Sequence, residues 1–150
     1  MAVTRERPYS QFNFLVDLGG GGGTSGVEAG FQEVSGLGME ITVSEYRNGN
    51  EPLNSVRKVN GMTKVTDVTL KRGIIGSKAL YDWISQLRDG SPDALRTVVV
   101  HLQSEDHNVV ATWTLRNARI TKHTSGPFNA KGTDVAMEEM TLAYERLDFE

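Results

Sequence analysis

Three histidines, one pair of adjacent glutamates, a run of five glycines and the Ser35-Gly36 and Ser125-Gly126 steps are the places where this 150-residue chain has residue types suited to chemistry. His101, His107 and His123 carry metal-ligating nitrogens, but none stands three or four residues from another, so no helix face brings two of them together. They read as surface or hairpin histidines. The glycines at 19–23 invite a phosphate loop, yet the Lys-Ser or Lys-Thr pair that must follow is absent. Ser35-Gly36 and Ser125-Gly126 lack the G-x-S-x-G context that exposes a nucleophilic serine on a strained turn. Glu138 and Glu139 would point to opposite faces of a strand, so they read as solvated or inter-subunit charges and not as a catalytic pair. With no cysteine, a disulfide scaffold, a Cys-ligated zinc, an iron–sulfur cluster and a thiol nucleophile all drop out. No residue is assigned to catalysis, to a cofactor or to a metal, and the reading is non-enzymatic.

The elements available to carry any function are mostly strands. Residues 9–18 alternate, with Phe12, Phe14, Val16 and Leu18 on one face and Gln11, Asn13 and Asp17 on the other. The stretch 19–26 reads as a flexible glycine-rich loop, because each glycine loses the most backbone entropy on ordering. Short strands follow at 31–34 and 39–44. Residues 45–61 then turn polar, with Asn48-Gly49 and Asn60-Gly61 turn signals and charges at Glu45, Arg47, Glu51, Arg57 and Lys58. This reads as a long hairpin loop, of a length that ordinary connections seldom reach. Strand character returns at 64–71, placing Thr66, Val68 and Leu70 on one face.

One helix is predicted, starting near Ser77 as N-cap, with Leu80, Trp83, Ile84 and Leu87 at i, i+3, i+4 and i+7 and a stop at Asp89-Gly90. A hairpin follows from 97–102 and 109–116, with its tip at 105–108 and Val109, Ala111, Trp113 and Leu115 on one face. Trp83 and Trp113 therefore read as core, not as stacking platforms for bases. Residues 121–133 read as a polar loop. The last segment, 134–147, suits a helix through Ala136, Met140, Ala143 and Leu147, or a strand through Met140, Leu142 and Tyr144. As a strand it requires a bulge near Glu138-Glu139. The length fits a single domain over 1–150 that buries roughly 70% of its unfolded surface.

Sixteen Lys and Arg against nineteen Asp and Glu give a formal charge of −3, without the basic excess that double-stranded nucleic acid demands. No apolar run approaches the ~18 residues of a membrane span, so the expectation is a soluble chain, cytosolic when made and without membrane anchoring. A β-rich chain without a pocket signature has sheet edges to satisfy, and one way to close them is to pair with copies of itself.

Six fragments then stand in a telling order: Phe31-Gln32-Glu33-Val34-Ser35-Gly36-Leu37, Glu45-Tyr46-Arg47-Asn48-Gly49, Leu70-Lys71-Arg72-Gly73, Trp83, Trp113-Thr114-Leu115-Arg116-Asn117-Ala118 and Met137-Glu138-Glu139-Met140-Thr141-Leu142. In these fragments the chain resembles the tail-tube (inner tube) proteins of contractile phage tails, contractile bacteriocins and extracellular contractile injection systems. The resemblance implies a mainly β fold of two packed antiparallel sheets with one flanking α-helix, and sheets that join between subunits into a ring-shaped barrel. It makes the C-terminal segment a strand. It also implies hexameric rings stacked into a hollow tube inside a contractile sheath, passing DNA or a protein payload, with no cofactor. The partners implied are copies of the chain itself, a sheath protein, baseplate or hub proteins and a tube terminator, in a particle assembled in the cytoplasm and released outside the cell in some systems. By the same likeness Glu45, Tyr46, Arg47, Asn48, Gly49, Asn50, Glu51, Arg57 and Lys58 contact the adjacent ring, where mixed charge sets register more than affinity. A mildly acidic chain fits a lumen that repels DNA phosphates. Two other readings stand beside it: a baseplate-proximal tube initiator, and a small-ligand-binding β-barrel whose cavity is lined by Phe12, Phe14, Trp113 and Tyr144.

Overall fold

The structure, a computed structural model, describes residues 2–19, 30–76 and 78–150. Among the described residues nine strands and one α-helix follow in the order β1 (Phe14–Asp17), β2 (Glu33–Ser35), β3 (Met39–Tyr46), β4 (Arg57–Val65), β5 (Val68–Gly73), α1 (Ala79–Arg88), β6 (Arg96–Gln103), β7 (Val109–Ser125), β8 (Met137–Ala143) and β9 (Arg146–Phe149). All pairing is antiparallel. Seven strands form one sheet in the order β1-β6-β7-β8-β5-β2, with β9 also on β7, and β3 and β4 form a separate two-stranded sheet.

The long strand β7 turns the large sheet into two layers. Its first half pairs with β6 and β9, and its second half pairs with β8. Val16, Val98, Val100 and Leu115 from the first layer therefore meet Val68, Leu70, Met140 and Leu142 from the second, all at most 3% exposed. At roughly 1.5–3 kcal/mol for each fully buried large aliphatic side chain, this interface is the main source of stability.

The helix lies against that core through Leu80 and Trp83, with Ile84 and Leu87 packed beside them. Trp83 is fully buried, and its indole Nε1–H donates to the Ala94 carbonyl at 2.6 Å, in the 3₁₀ turn Pro92–Ala94. The Arg96 guanidinium stands 4.7 Å over its ring. The helix ends in a Schellman motif: Ser91 N–H reaches Gln86 O, Gly90 N–H reaches Leu87 O, and Gly90 takes φ +76°. The predicted cap Ser77 lies outside the described residues, as do residues 20–26 of the predicted glycine loop.

Several sequence expectations are corrected. Phe12 is 70% exposed and not core, because pairing with β6 begins at Asn13 and no neighbouring strand extends the alternation back to residue 12. Residues 45–61 are not a loop throughout: Glu45 and Tyr46 end β3, residues 57–61 begin β4, and the connection is 47–56. The predicted strand 64–71 breaks at Thr66-Asp67. Residues 121–125 belong to β7, where β8 alongside supplies the partners for an otherwise polar stretch.

The C-terminal segment is strand, and no bulge falls at Glu138-Glu139. β5 and β8 stay in register from Val68↔Leu142 to Gly73↔Met137. Alternation is kept because Glu138 itself takes an inward site, 5% exposed, with its charge met by Arg72. Glu138 is thus neither solvated nor available to another subunit.

Candidate assembly interface

The residues singled out for inter-subunit contact gather on the β3–β4 hairpin and its tip. β3 and β4 pair only with each other among the described residues, although they continue the paired strands β2 and β5. The root of the hairpin is tightly fixed. Gly36 takes φ +92°, and a β-carbon there would stand 2.2 Å from the Asp67 carbonyl oxygen, so the close approach of the two backbone segments requires glycine. Thr66 Oγ1 donates to the Gly36 carbonyl at 2.5 Å, and Thr66 N–H to the Gly38 carbonyl at 3.1 Å. Tyr144 OH reaches the same Gly38 oxygen at 3.5 Å. Burial of Tyr144 raises its phenol pKa.

Beyond the root every residue of β3 is exposed. Cross-strand register puts Met39, Ile41, Val43 and Glu45 on one face, opposite Val65, Thr63, Asn60 and Lys58. Glu40, Ser44 and Tyr46 lie on the other, opposite Lys64, Val59 and Arg57. The ladder shifts by one residue between Ile41 and Val43, where Gly61 comes so close to Thr42 that a β-carbon would stand 2.8 Å from its carbonyl oxygen. The first face is an apolar stripe that no described residue covers: Met39, Ile41 and Val43 are 56%, 52% and 46% exposed. A two-stranded hairpin is marginal in water, and an exposed apolar ladder on one is a surface built to be covered.

The tip is organised from within. Arg47 donates from Nε to the Leu53 carbonyl at 3.0 Å and from Nη2 to the Glu51 carbonyl at 2.9 Å. The Tyr46 hydroxyl donates to Asn48 Oδ1, and Glu51 N–H closes a turn on the Asn48 carbonyl at 3.2 Å. The Glu51 carboxylate pairs with Arg57 at 3.3 Å. Arg47 and Glu51 are therefore used to shape the loop, whereas Asn48, Gly49, Asn50, Arg57 and Lys58 are exposed on it, beside Leu53 and Val56. Sequence reasoning named the polar residues of this arm and passed over Met39, Ile41, Val43 and Val56. Their signal was present as an alternating strand, but alternation does not say whether the apolar face meets its own core.

Elsewhere the layers leave an open groove of about 670 Å³ between β1 and β2, lined by Phe12, Phe14, Val34, Leu37, Val100, Leu102 and Trp113. Trp113 tilts against Phe149 at 5.2 Å between ring centroids. Tyr144 is not part of that lining. The histidines are spread apart in role: His101 Nδ1 meets Thr112 Oγ1 at 3.0 Å, His107 takes φ +62° at the β6–β7 tip, and His123 Nε2 meets Glu138 Oε2 at 3.1 Å. No cluster of metal-ligating side chains occurs among the described residues.

The described residues thus form an edge-rich double layer with an arm whose apolar stripe none of them covers. Residues 10–148 match the sequence profile of the T4-like virus tail tube protein gp19. The chain belongs to that tail-tube family. Solved structures agree with it over nearly the whole length. The tail-tube chain is similar to a chain of an extracellular contractile injection system, the PVC sheath-tube complex in its extended state, with 28% identity and a TM-score of 0.81 over 97% of this chain and 93% of that one. It is similar to a chain of the anti-feeding prophage cap, the AFP tube terminating cap, with 25% identity and a TM-score of 0.81 over 100% and 95%. A chain of the PVC sheath/tube terminator in the extended state is 27% identical, with a TM-score of 0.78 over 98% and 99%. No curated protein sequence matches the chain.

Proposed function

We propose that this tail-tube chain closes into hexameric rings that stack into a hollow conduit inside a contractile sheath, and that the lumen passes DNA or a protein payload. The observation that carries the reading is the β3–β4 hairpin, an arm rigid at its root and uncovered along its apolar stripe. A contact of this arm with a different surface of the next copy is heterologous: rotation closes a ring and translation leaves an open stack. The edge strands β1, β2 and β9 offer backbone groups that a neighbour can extend into a continuous barrel.

In this reading the whole of 1–150 is one tube-wall domain, and Glu45, Tyr46, Asn48, Gly49, Asn50, Arg57 and Lys58 meet an adjacent copy while Arg47 and Glu51 hold the tip in shape. The sheath, a baseplate or hub and a tube terminator are the further partners, in a particle assembled in the cytoplasm and released extracellularly where it acts as an injection system. The conduit does no covalent chemistry; sheath contraction supplies the work.

Negative-stain electron microscopy of the purified chain, with sedimentation velocity over a range of concentrations, tests it. Stacked hollow rings or tubes are expected. Single rings that never lengthen favour a tube-initiating paralogue, and a monomer unchanged with concentration speaks against assembly as the function.

A further inference from the structure

Asparagine stands before glycine at 48 and 60, and aspartate does so at 89. In such a step the glycine nitrogen can attack the side-chain carbonyl of the residue before it, because no β-carbon screens the approach. The structure separates the three. Asn60 lies in β4 opposite Val43, and Gly61 is pressed so close to Thr42 that a β-carbon would stand 2.8 Å from its carbonyl oxygen. Ring closure there requires the Asn60 backbone to rotate out of its extended form, which the paired ladder opposes. The Gly90 N–H is already given to the Leu87 carbonyl at 3.2 Å. Asn48 differs on each point. It lies with Gly49 in the connection between β3 and β4, and both are exposed. Among the described residues no group accepts the Gly49 N–H, and a β-carbon on Gly49 would meet nothing within 4 Å. The Tyr46 hydroxyl donates to Asn48 Oδ1.

We propose that Asn48 is a site of self-modification, at which the Gly49 nitrogen closes on the Asn48 side-chain carbonyl and expels ammonia. The bond from Gly49 N to Asn48 Cγ forms, the Cγ–Nδ2 bond breaks, and the Gly49 amide proton leaves with Nδ2 as ammonia. Water then opens the cyclic imide at either of its carbonyls, giving aspartate by one route and isoaspartate by the other, so one water enters for each ammonia lost. The geometry favours this step over the other two. The attacking nitrogen is not engaged, the site is open to water, and the Tyr46 O–H points at the oxygen on which negative charge develops as the nitrogen adds. The product carries a carboxylate in place of a neutral amide. Isoaspartate also adds a methylene to the main chain, inside the turn that Glu51 N–H closes on the Asn48 carbonyl at 3.2 Å. The chemistry belongs to the exposed tip of the unassembled chain and needs no partner. Its consequence rests on the tube reading above: copies that wait unassembled lose the tip shape with which they meet a neighbour.

Ageing of the purified full chain at mildly alkaline pH, read by peptide mass spectrometry with isoaspartate detection, tests this. Cleavage after Arg47, Arg57, Lys58 and Lys64 puts Asn48 and Asn60 in separate peptides, and fragmentation separates Asn48 from Asn50 and Asn54. Asn48 should convert to both aspartate and isoaspartate, faster as pH rises because the attacking nitrogen must give up its proton. Asn60 should lag by about tenfold for as long as the ladder holds it. Gly49→Ala, at a backbone conformation open to L-residues, should keep the unfolding midpoint and slow the conversion by about tenfold, since its methyl group screens the nitrogen. Conversion of Asn60 as fast as Asn48, or aspartate formed without isoaspartate, overturns the site. Sedimentation velocity of fresh and aged chains reads the consequence: aged wild type should assemble less than fresh, while aged Gly49→Ala should match its own fresh preparation. Equal assembly of fresh and aged wild type overturns the consequence alone. A fresh chain that stays monomeric overturns the tube reading and leaves the site standing.

Discussion

Arg72 and Glu138 are locked together between the two sheet layers, Nε to Oε1 at 2.5 Å, with side chains 2% and 6% exposed. The second Glu138 oxygen meets His123 Nε2 at 3.1 Å, and the edge of Tyr81 closes on the His123 ring at 4.8 Å. One ion pair thus ties β5, β8, β7 and α1 in a single register. Phe31 lies under the Arg72 guanidinium at 5.4 Å and caps the pair.

Removing one partner of a buried ion pair costs more than replacing both, because the desolvated partner loses its strongest counter-charge. Glu138→Ala should therefore destabilise the chain by about 3–5 kcal/mol. Replacing both partners by apolar residues of similar size, Arg72→Met with Glu138→Leu, should cost far less. Urea unfolding of the two variants checks this, and equal losses for the single and double variants would count against a mutual pair.

The hairpin root depends on one glycine. Gly36→Ala places a methyl group against the Asp67 carbonyl at a backbone conformation that L-residues avoid. A loss of at least ~2 kcal/mol is expected, equivalent to a fall of about 4–8 °C in Tm for a chain of this size. Thermal unfolding by circular dichroism reads it; an unchanged Tm would mean that the root relaxes freely.

The apolar stripe should matter to assembly and not to the fold of one copy. Ile41→Lys with Val43→Lys sits on a face that no part of the described chain covers, so its effect on monomer unfolding should stay within ~0.5 kcal/mol per site. Sedimentation velocity should show loss of the large species at every concentration. Arg47→Ala is the contrasting case: it releases the Leu53 and Glu51 carbonyls, and the tip should become sensitive to protease before the body does.

Acid should release the N-terminal arm late. Arg5 holds both Glu105 oxygens at 2.9 Å and stacks 3.9 Å over Tyr9. The hydrogen bonds from Arg5 hold the Glu105 carboxyl at about 2, below its ordinary 4.5. A carboxyl whose pKa is depressed by folding stabilises the folded arm fully above its unfolded value. That contribution is lost as pH falls from about 4.5 through about 2. Hydrogen bonds from Arg116 lower the Asp148 pKa in the same direction, which protects β9 over the acid range. An NMR titration of the Glu105 carboxyl checks this, and a midpoint at its ordinary value would remove the ion pair as the anchor of the arm.

Local rules determined much of the chain. The 3.6-residue spacing of Leu80, Trp83, Ile84 and Leu87 gave one helix, and Asp89-Gly90 gave its end, because a helix needs one apolar stripe and a glycine at positive φ to stop. Period-two alternation placed Val16, Val68, Leu70 and Leu115 inward for the same kind of reason. Ordered fragments of likeness gave the family. The tertiary structure alone decided what each face meets. Met39, Ile41 and Val43 alternate as well as Val68 and Leu70 do, yet the first set faces solvent and the second faces a sheet. Glu138 reads as a surface charge until Arg72, sixty-six residues away, is brought opposite it. Phe12 looks like core until β1 proves to pair with β6 only from Asn13 onward. Periodicity is a property of neighbouring residues, whereas burial depends on which distant strand arrives alongside.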